Sequence, residues 1–393
     1  MADIFDYLSW RGDLTFAQSS FNPVDNIILT HLSYIPLDNA APGPEQKKGV
    51  TIAEAAELFN WAFEKSPGDF RDILISKEDP RFFGALGSSG RYGNLELRGY
   101  VNQLDPDREK QFAALTILTG DGSAFITYRG TDATLVGWKE DFNMSFSAAV
   151  PAQLEAVAYL EEMAKQIRGP LRIGGHSKGG NLAVYAAAFC HKKIQSRITA
   201  IYSNDAPGFH RTVMDSAGYR AIREKIISFV PQDSVIGMLF EHDDDYTVVK
   251  STQAGLMQHD VYSWEVIHND VVRLDRVTQG SRFIDRTLKE WIGSLDERRR
   301  EQFTEALYAI LSSTEAKSFP ELGAGWLKNA GIMIQSLKDI DEQTRELIFS
   351  VIAALFKAAK NNINTLLPKT NFKKPAPPKF LNQTGASASG DGD

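Results

Sequence analysis

One cysteine in 393 residues, no long apolar run and no excess of basic charge are the scarcities that set the first bounds. The lone thiol, Cys190, can form neither an internal disulfide nor a cysteine-rich zinc cluster. Lys and Arg number 43 against 50 Asp and Glu, a formal net charge of −7. There is thus no broad basic surface to neutralise phosphates, which excludes nucleic-acid binding as the main activity. No window approaches the roughly 18 unbroken apolar residues of a membrane-spanning helix. The longest near-candidate, Leu347 to Phe356, is bounded by Glu346 and Lys357. Met1 to Asp13 carries early acids and no uninterrupted apolar stretch, unlike a signal peptide, so a cytoplasmic location is expected. What is present, 43% hydrophobic residues over this length, suits one large core and an accessory domain.

Hydrophobic spacing divides the chain. Residues 1–80 read as mainly helical: Val24 to Ser33 has apolar residues at helical spacing, and Thr51-Ile-Ala-Glu54 opens a capped helix through Ala55 to Phe63. The glycine-rich stretch Gly84 to Gly93 interrupts that pattern. Strand-like runs follow at Leu95 to Val101, Phe112 to Leu118 and Ala124 to Tyr128, separated by turn signals, as for an antiparallel entry into a sheet. Strand and helix then alternate. A helix at Gln153 to Ile167, a strand at Leu171 to Ile173, a helix after Ser177, and strands at Ile198 to Ser203, Ile226 to Val230 and Tyr246 to Lys250 predict an α/β fold with a mostly parallel central sheet. Beyond about residue 281 only helical periodicity remains, with Phe283 to Trp291 the last helix of the α/β layer. The expected organisation is an α/β unit over 1–295, a helical annex over 296–367 and a disordered Pro-, Ser- and Gly-rich tail over 368–393.

The chemistry concentrates in Arg172-Ile-Gly-Gly-His-Ser-Lys-Gly-Gly180. Gly175, Ser177 and Gly179 form G-x-S-x-G between an apolar strand and an alanine-rich helix. That context is a nucleophile elbow, a turn so tight that small residues must flank a serine exposed at the helix N-terminus. A phosphate-loop reading fails, because the G-K-[ST] ending is absent.

A serine hydroxyl needs a base to take its proton and an acid to orient that base. With the order nucleophile, acid, histidine, each on a loop after a later strand, Asp233 and His259 occupy the two positions. Asp205, after the first strand past the nucleophile, is a rival acid. His242 lies before the last strand and His268 after another short apolar run, and both fit the base less well. For the oxyanion, the amide of Lys178 is one expected donor, and the loop Tyr128-Arg-Gly-Thr131 is a candidate for the second, through Thr131.

These residues carry a family resemblance. Tyr128-Arg-Gly-Thr131 with Trp138 and Asp141 resembles the F-R-G-[ST] … W-x-x-D segment of class 3 lipases, and Gly175-His-Ser-Lys-Gly-Gly180 resembles their G-H-S-L-G-G. Phe229-Val-Pro-Gln-Asp233 resembles the stretch holding their catalytic aspartate. Ile4 to Leu14 and Gln258 to Trp264 look like a bacterial branch of lipase-like α/β-hydrolases. The resemblance spans residues 1 to roughly 310 and implies an α/β-hydrolase fold, with Ser177, Asp233 and His259 as triad and Thr131 and Lys178 at the oxyanion hole. It disfavours Asp205, which falls where the lipases carry glycine.

Two departures bear on substrate. Lys178 replaces an apolar residue, setting a cation either near the site or folded away along the helix. Asn143 to Gln153 is short and mixed, with Phe146, Ala148, Ala149 and Val150 enough only for a small flap, so a soluble or membrane-peripheral acyl ester is expected rather than bulk fat. No cofactor is implied, and the acidic cluster Glu241-His-Asp-Asp-Asp245 lacks EF-hand spacing and reads as solvated, not metal-binding. The lysines of 373–379 serve to keep the tail soluble. The expected activity is a serine esterase. A thioesterase or acyltransferase with the same triad, or a scaffold on a hydrolase fold, is the alternative.

Overall fold

The computed structural model describes residues 1–66, 76–131 apart from 106 and 109, 140, 143–144, 149–234, 236–239, 245–278 and 281, with isolated positions 298, 342, 345 and 346 beyond. The helix expected at 283–291, the annex, the tail, the cluster residues 241–244 and the motif residues Trp138 and Asp141 lie outside the described residues.

Among the described residues the lead-in contains helices α1 (Ile4–Arg11), α2 (Pro23–His31), α3 (Ile52–Lys65) and α4 (Asp79–Ser88). The first three start at capping boxes, Asp3 with Asp6, Asn22 with Asp25 and the expected Thr51 with Glu54, each side chain accepting the other residue's amide. Helix α4 runs into the glycine-rich stretch that reads as a break. The reason is packing, since a Cβ on Gly87 would stand 2.6 Å from that of Ala56 in α3, so glycine is what lets the two helices approach. The lead-in is locked by a buried carboxylate: Asp25 receives Arg91 Nη2 at 2.6 Å and Nε at 2.7 Å, and the Tyr92 hydroxyl.

Among the described residues nine strands form one sheet. Strands β1 (Val50–Thr51), β2 (Glu96–Asp105), β3 (Lys110–Leu118) and β4 (Ala124–Tyr128) pair antiparallel. Strands β5 (Leu171–His176), β6 (Ile198–Asn204), β7 (Ile226–Pro231) and β8 (Thr247–Val249) then continue from β4 in parallel. After the short hairpin β9 (Val266–Ile267) and β10 (Asp270–Val271), strand β11 (Arg273–Leu274) closes the far edge antiparallel to β8. The parallel character therefore belongs to the five central strands, with antiparallel strands on both flanks. Side-chain alternation splits the core into two layers. Leu115, Ile117, Phe125 and Phe229 face helices α1 to α4, whereas Ala114, Ile126, Ile173 and Ile201 face α5 (Pro151–Gln166) and α6 (Lys178–Phe189). This is an α/β arrangement, a central parallel sheet region covered by helices on both faces. Among the described residues no helix is long and apolar enough to cross a membrane.

Candidate active site

Strand β5 ends at His176 and α6 begins at Lys178, so the whole reversal falls on Ser177. Its backbone is left-handed at φ 57°, ψ −136°, a conformation that costs a non-glycine residue energy and persists only where the surroundings impose it. Those surroundings are close: a Cβ on Gly175 would lie 2.1 Å from the Gly179 carbonyl, and one on Gly179 would lie 2.1 Å from the Tyr128 carbonyl. The Ser177 amide donates to the Asn204 carbonyl at 2.9 Å, tying the elbow to the end of β6. Its hydroxyl makes no hydrogen bond to any described residue, and the residue is partly exposed.

His259 sits on the short helical turn after β8, with its side chain 27% exposed. Its Nδ1 pairs at 2.6 Å with Oδ2 of Asp205, so the carboxylate brought to this histidine is Asp205 and not the expected Asp233. Asp205 directly follows β6 with φ 46°, a left-handed turn that aspartate tolerates. It is buried, and its other oxygen accepts the Ser234 hydroxyl and the Gly237 amide at 3.1 Å. Asp233 instead accepts Gln258 Nε2 at 2.9 Å and the Thr278 hydroxyl, which occupies both of its oxygens.

The histidine inside the elbow has a defined state. His176 Nε2 lies 2.8 Å from the His259 carbonyl, which can only accept, so Nε2 carries the proton and Nδ1 is an acceptor for the Tyr34 hydroxyl at 3.0 Å. Burial first, then the neighbouring His259 and His31, holds the His176 imidazole well below the usual histidine range, which keeps it neutral. Tyr34 in turn accepts the Gly130 amide at 3.1 Å. A chain of hydrogen bonds thus runs from the His259 backbone through His176 and Tyr34 to the loop after β4. No local sequence signal marks Tyr34, which lies 142 residues from His176.

That loop abuts the serine. A Cβ on Gly130 would come 2.9 Å from the Ser177 Cβ and 2.6 Å from the His176 carbonyl, so the backbone leading into Thr131 passes directly beside Ser177. Lys178 provides the first amide of α6, at the positive end of the helix, where backbone donors have no intrahelical partner. Its side chain is folded inward, 1% exposed, with Nζ 2.9 Å from Glu140 Oε2 and 3.2 Å from the Gln111 carbonyl. Glu140 is equally buried and also accepts the amides of Gln111 at 3.0 Å and Ala152 at 2.9 Å. The cation is therefore neutralised in the interior and does not face substrate. Of the expected flap, residues 145–148 lie outside the described residues. Cys190 is buried, and burial pushes its thiol up to about 12, which makes it a packing residue and not a nucleophile. Among the described residues there is no His, Cys, Asp and Glu group arranged to hold a metal ion.

A family model described as Mbeg1-like matches residues 86–309, more than half of the chain. No curated protein matches. Among solved structures, the chain is similar to the native Rhizomucor miehei lipase propeptide complex, at 14% identity over 65% of this chain and 88% of that chain, with a TM-score of 0.33. It is similar also to M37 lipase, at 12% identity over 71% and 96%, with a TM-score of 0.34.

Proposed function

Given that the chain belongs to the Mbeg1-like family, we propose that it is a serine hydrolase cleaving a carboxylic ester through an acyl-enzyme on Ser177, with His259 as base and Asp205 as the acid that holds it. The observation that carries this reading is the 2.6 Å pair of His259 Nδ1 and Asp205 beside a serine in a strained elbow. With Nδ1–H donated to Asp205, His259 Nε2 is the lone-pair nitrogen able to take a proton. The Ser177 oxygen attacks the ester carbonyl carbon as its proton passes to Nε2. The resulting oxyanion accepts hydrogen bonds from the Lys178 amide and from Thr131. Collapse breaks the carbon–oxygen bond to the alcohol, which leaves with the proton from Nε2. Water, deprotonated by the same nitrogen, then releases the acid. A preorganised donor pair of this kind is worth about 10² to 10³ in turnover per donor.

Asp233 is replaced as acid in this reading by the rival Asp205. The substrate class is a soluble or membrane-peripheral acyl ester, and the site of action is the cytoplasm. Ile4 to Leu14 and Gln258 to Trp264 support a place in a bacterial branch of lipase-like hydrolases. The test is turnover of p-nitrophenyl esters graded from acetyl to palmitoyl. Wild-type protein is expected to hydrolyse the short members, and Ser177→Ala to reach background, a loss on the order of 10⁶ for a triad nucleophile. Equal rates for the two proteins would refute the assignment, and transfer to added alcohols or preference for thioesters would redirect it to the alternative activities.

A further inference from the structure

We propose that Asp233 is a positioning residue: by clasping the side-chain amide of Gln258 it fixes the loop that carries His259. The inference rests on the serine-hydrolase reading above and explains why an aspartate remains at the position where the lipase resemblance expects the acid.

Gln258 is fully buried and directly precedes His259. Its Oε1 accepts the Asp233 amide at 2.9 Å, and its Nε2 donates to Asp233 Oδ2 at 2.9 Å and to the Gln253 carbonyl at 2.7 Å. Asp233 thus holds both ends of one amide, with main chain and carboxylate together. The Gln258 carbonyl is held as well, by Trp264 Nε1 at 2.8 Å, and that indole is itself buried. At the start of the same loop, Gln232 does the equivalent for Ser251, accepting its amide at 2.7 Å and donating to its carbonyl at 3.1 Å. Two adjacent residues after β7 therefore pin both ends of the segment 251–258. The carbonyl of His259 is then fixed from the other side by His176. With the backbone held on both flanks, the imidazole keeps only its side-chain torsions, and Asp205 sets those.

The roles of the two acids separate by chemistry. Asp205 gives an oxygen to the imidazole, whereas Asp233 gives one oxygen to Gln258 and the other to Thr278. The work of Asp233 needs an acceptor at Oδ2 and no negative charge. An asparagine supplies that acceptor through its carbonyl, with its amide group turned to the Thr278 oxygen.

The experiment is steady-state hydrolysis of p-nitrophenyl butyrate by the full chain carrying Asp233→Asn, Asp233→Ala, Gln258→Met or Asp205→Asn. Asp233→Asn is expected within about threefold of wild type. Asp233→Ala and Gln258→Met should each lose about 10- to 100-fold in kcat with KM unchanged, the scale of a displaced catalytic group, and their combination should lose no more than either alone. Asp205→Asn should lose about 10³ to 10⁴. Asp233→Asn as inactive as Asp205→Asn would overturn the proposal by making Asp233 the acid, and Asp233→Ala or Gln258→Met within threefold of wild type would overturn it by leaving the clasp without effect. Should Asp233→Ala fail to fold, the contrast of Asp233→Asn with Gln258→Met decides in the same way. A wild-type chain that neither hydrolyses the ester nor reacts with a fluorophosphonate would instead overturn the serine-hydrolase reading, and this inference with it.

Discussion

His259 Nδ1 stands 2.6 Å from Oδ2 of Asp205, a carboxylate at the end of the strand next to the one that leads into Ser177. The pairing is enforced from behind: Ser234 and the Gly237 amide hold the other oxygen of Asp205, so the carboxylate cannot rotate away. Asp205 and Ser177 both sit in left-handed backbone at the ends of neighbouring parallel strands, joined by the hydrogen bond from the Ser177 amide to Asn204. The geometry of the site is in this sense a property of the sheet edge.

Asparagine at position 205 tests that pairing. It would present an amide N–H to Nδ1 of His259 or hold the ring in the wrong tautomer, leaving Nε2 protonated and unable to accept from Ser177. Activity on p-nitrophenyl butyrate is expected to fall about 10³- to 10⁴-fold while the melting temperature stays close to wild type. Retention of more than a tenth of the activity would remove Asp205 from the mechanism.

The Lys178–Glu140 pair should matter chiefly for folding. Lys178→Met leaves a buried carboxylate without its cation, and removing one partner of such a pair costs about 3 to 5 kcal/mol. Pairing it with Glu140→Gln removes the stranded charge and should restore part of the loss. Urea unfolding of the three variants measures this, and a double variant as unstable as the sum of the singles would show that the two side chains do not interact.

How much of this was legible in the chain depends on how local each signal is. The elbow is written within nine residues because its sterics demand Gly175 and Gly179 around Ser177, and the central strands announce themselves as apolar runs between turns. Helix α4 hides behind glycines whose purpose, contact with Ala56, is tertiary. The choice between Asp205 and Asp233 is open at the level of order along the chain, since each follows a strand between nucleophile and histidine. Their surroundings in the fold come from partners 29 and 25 residues away, Ser234 for Asp205 and Gln258 for Asp233. Tyr34, which reads as a core aromatic of the lead-in, becomes part of the site only because the fold lays its hydroxyl against His176 and Gly130.

Gly130 should tolerate no side chain. A Cβ there meets the Tyr34 oxygen at 2.3 Å, the His176 carbonyl at 2.6 Å and the Ser177 Cβ at 2.9 Å, two of which belong to the elbow. Gly130→Ala is therefore expected to push the loop after β4 off Ser177 and, on the proposed mechanism, lower kcat by at least the 10² to 10³ typical of one lost oxyanion donor. Wild-type kcat in a folded Gly130→Ala protein would contradict this placement of the loop.

His176 ties stability to pH. The folded chain holds it neutral, well below the ordinary value of 6.5, so below that pH the unfolded chain binds a proton that the folded chain refuses. Its contribution is fully present above about pH 6.5 and is lost progressively as pH falls toward the lowered folded value. His176→Gln, which keeps a donor for the His259 carbonyl and an acceptor for Tyr34, should flatten the decline of unfolding free energy between pH 7 and 5. An unchanged slope would mean that His176 takes up its proton equally in both states.

Covalent trapping tests most directly whether Ser177 is a nucleophile activated by His259 and Asp205. Wild-type protein treated with a fluorophosphonate should gain the mass of one phosphonyl group, mapping by peptide mass spectrometry to the peptide containing Ser177. Ser177→Ala should gain none, and Asp205→Asn should react far more slowly. Labelling at another residue, or equal labelling of wild type and Ser177→Ala, would contradict the account.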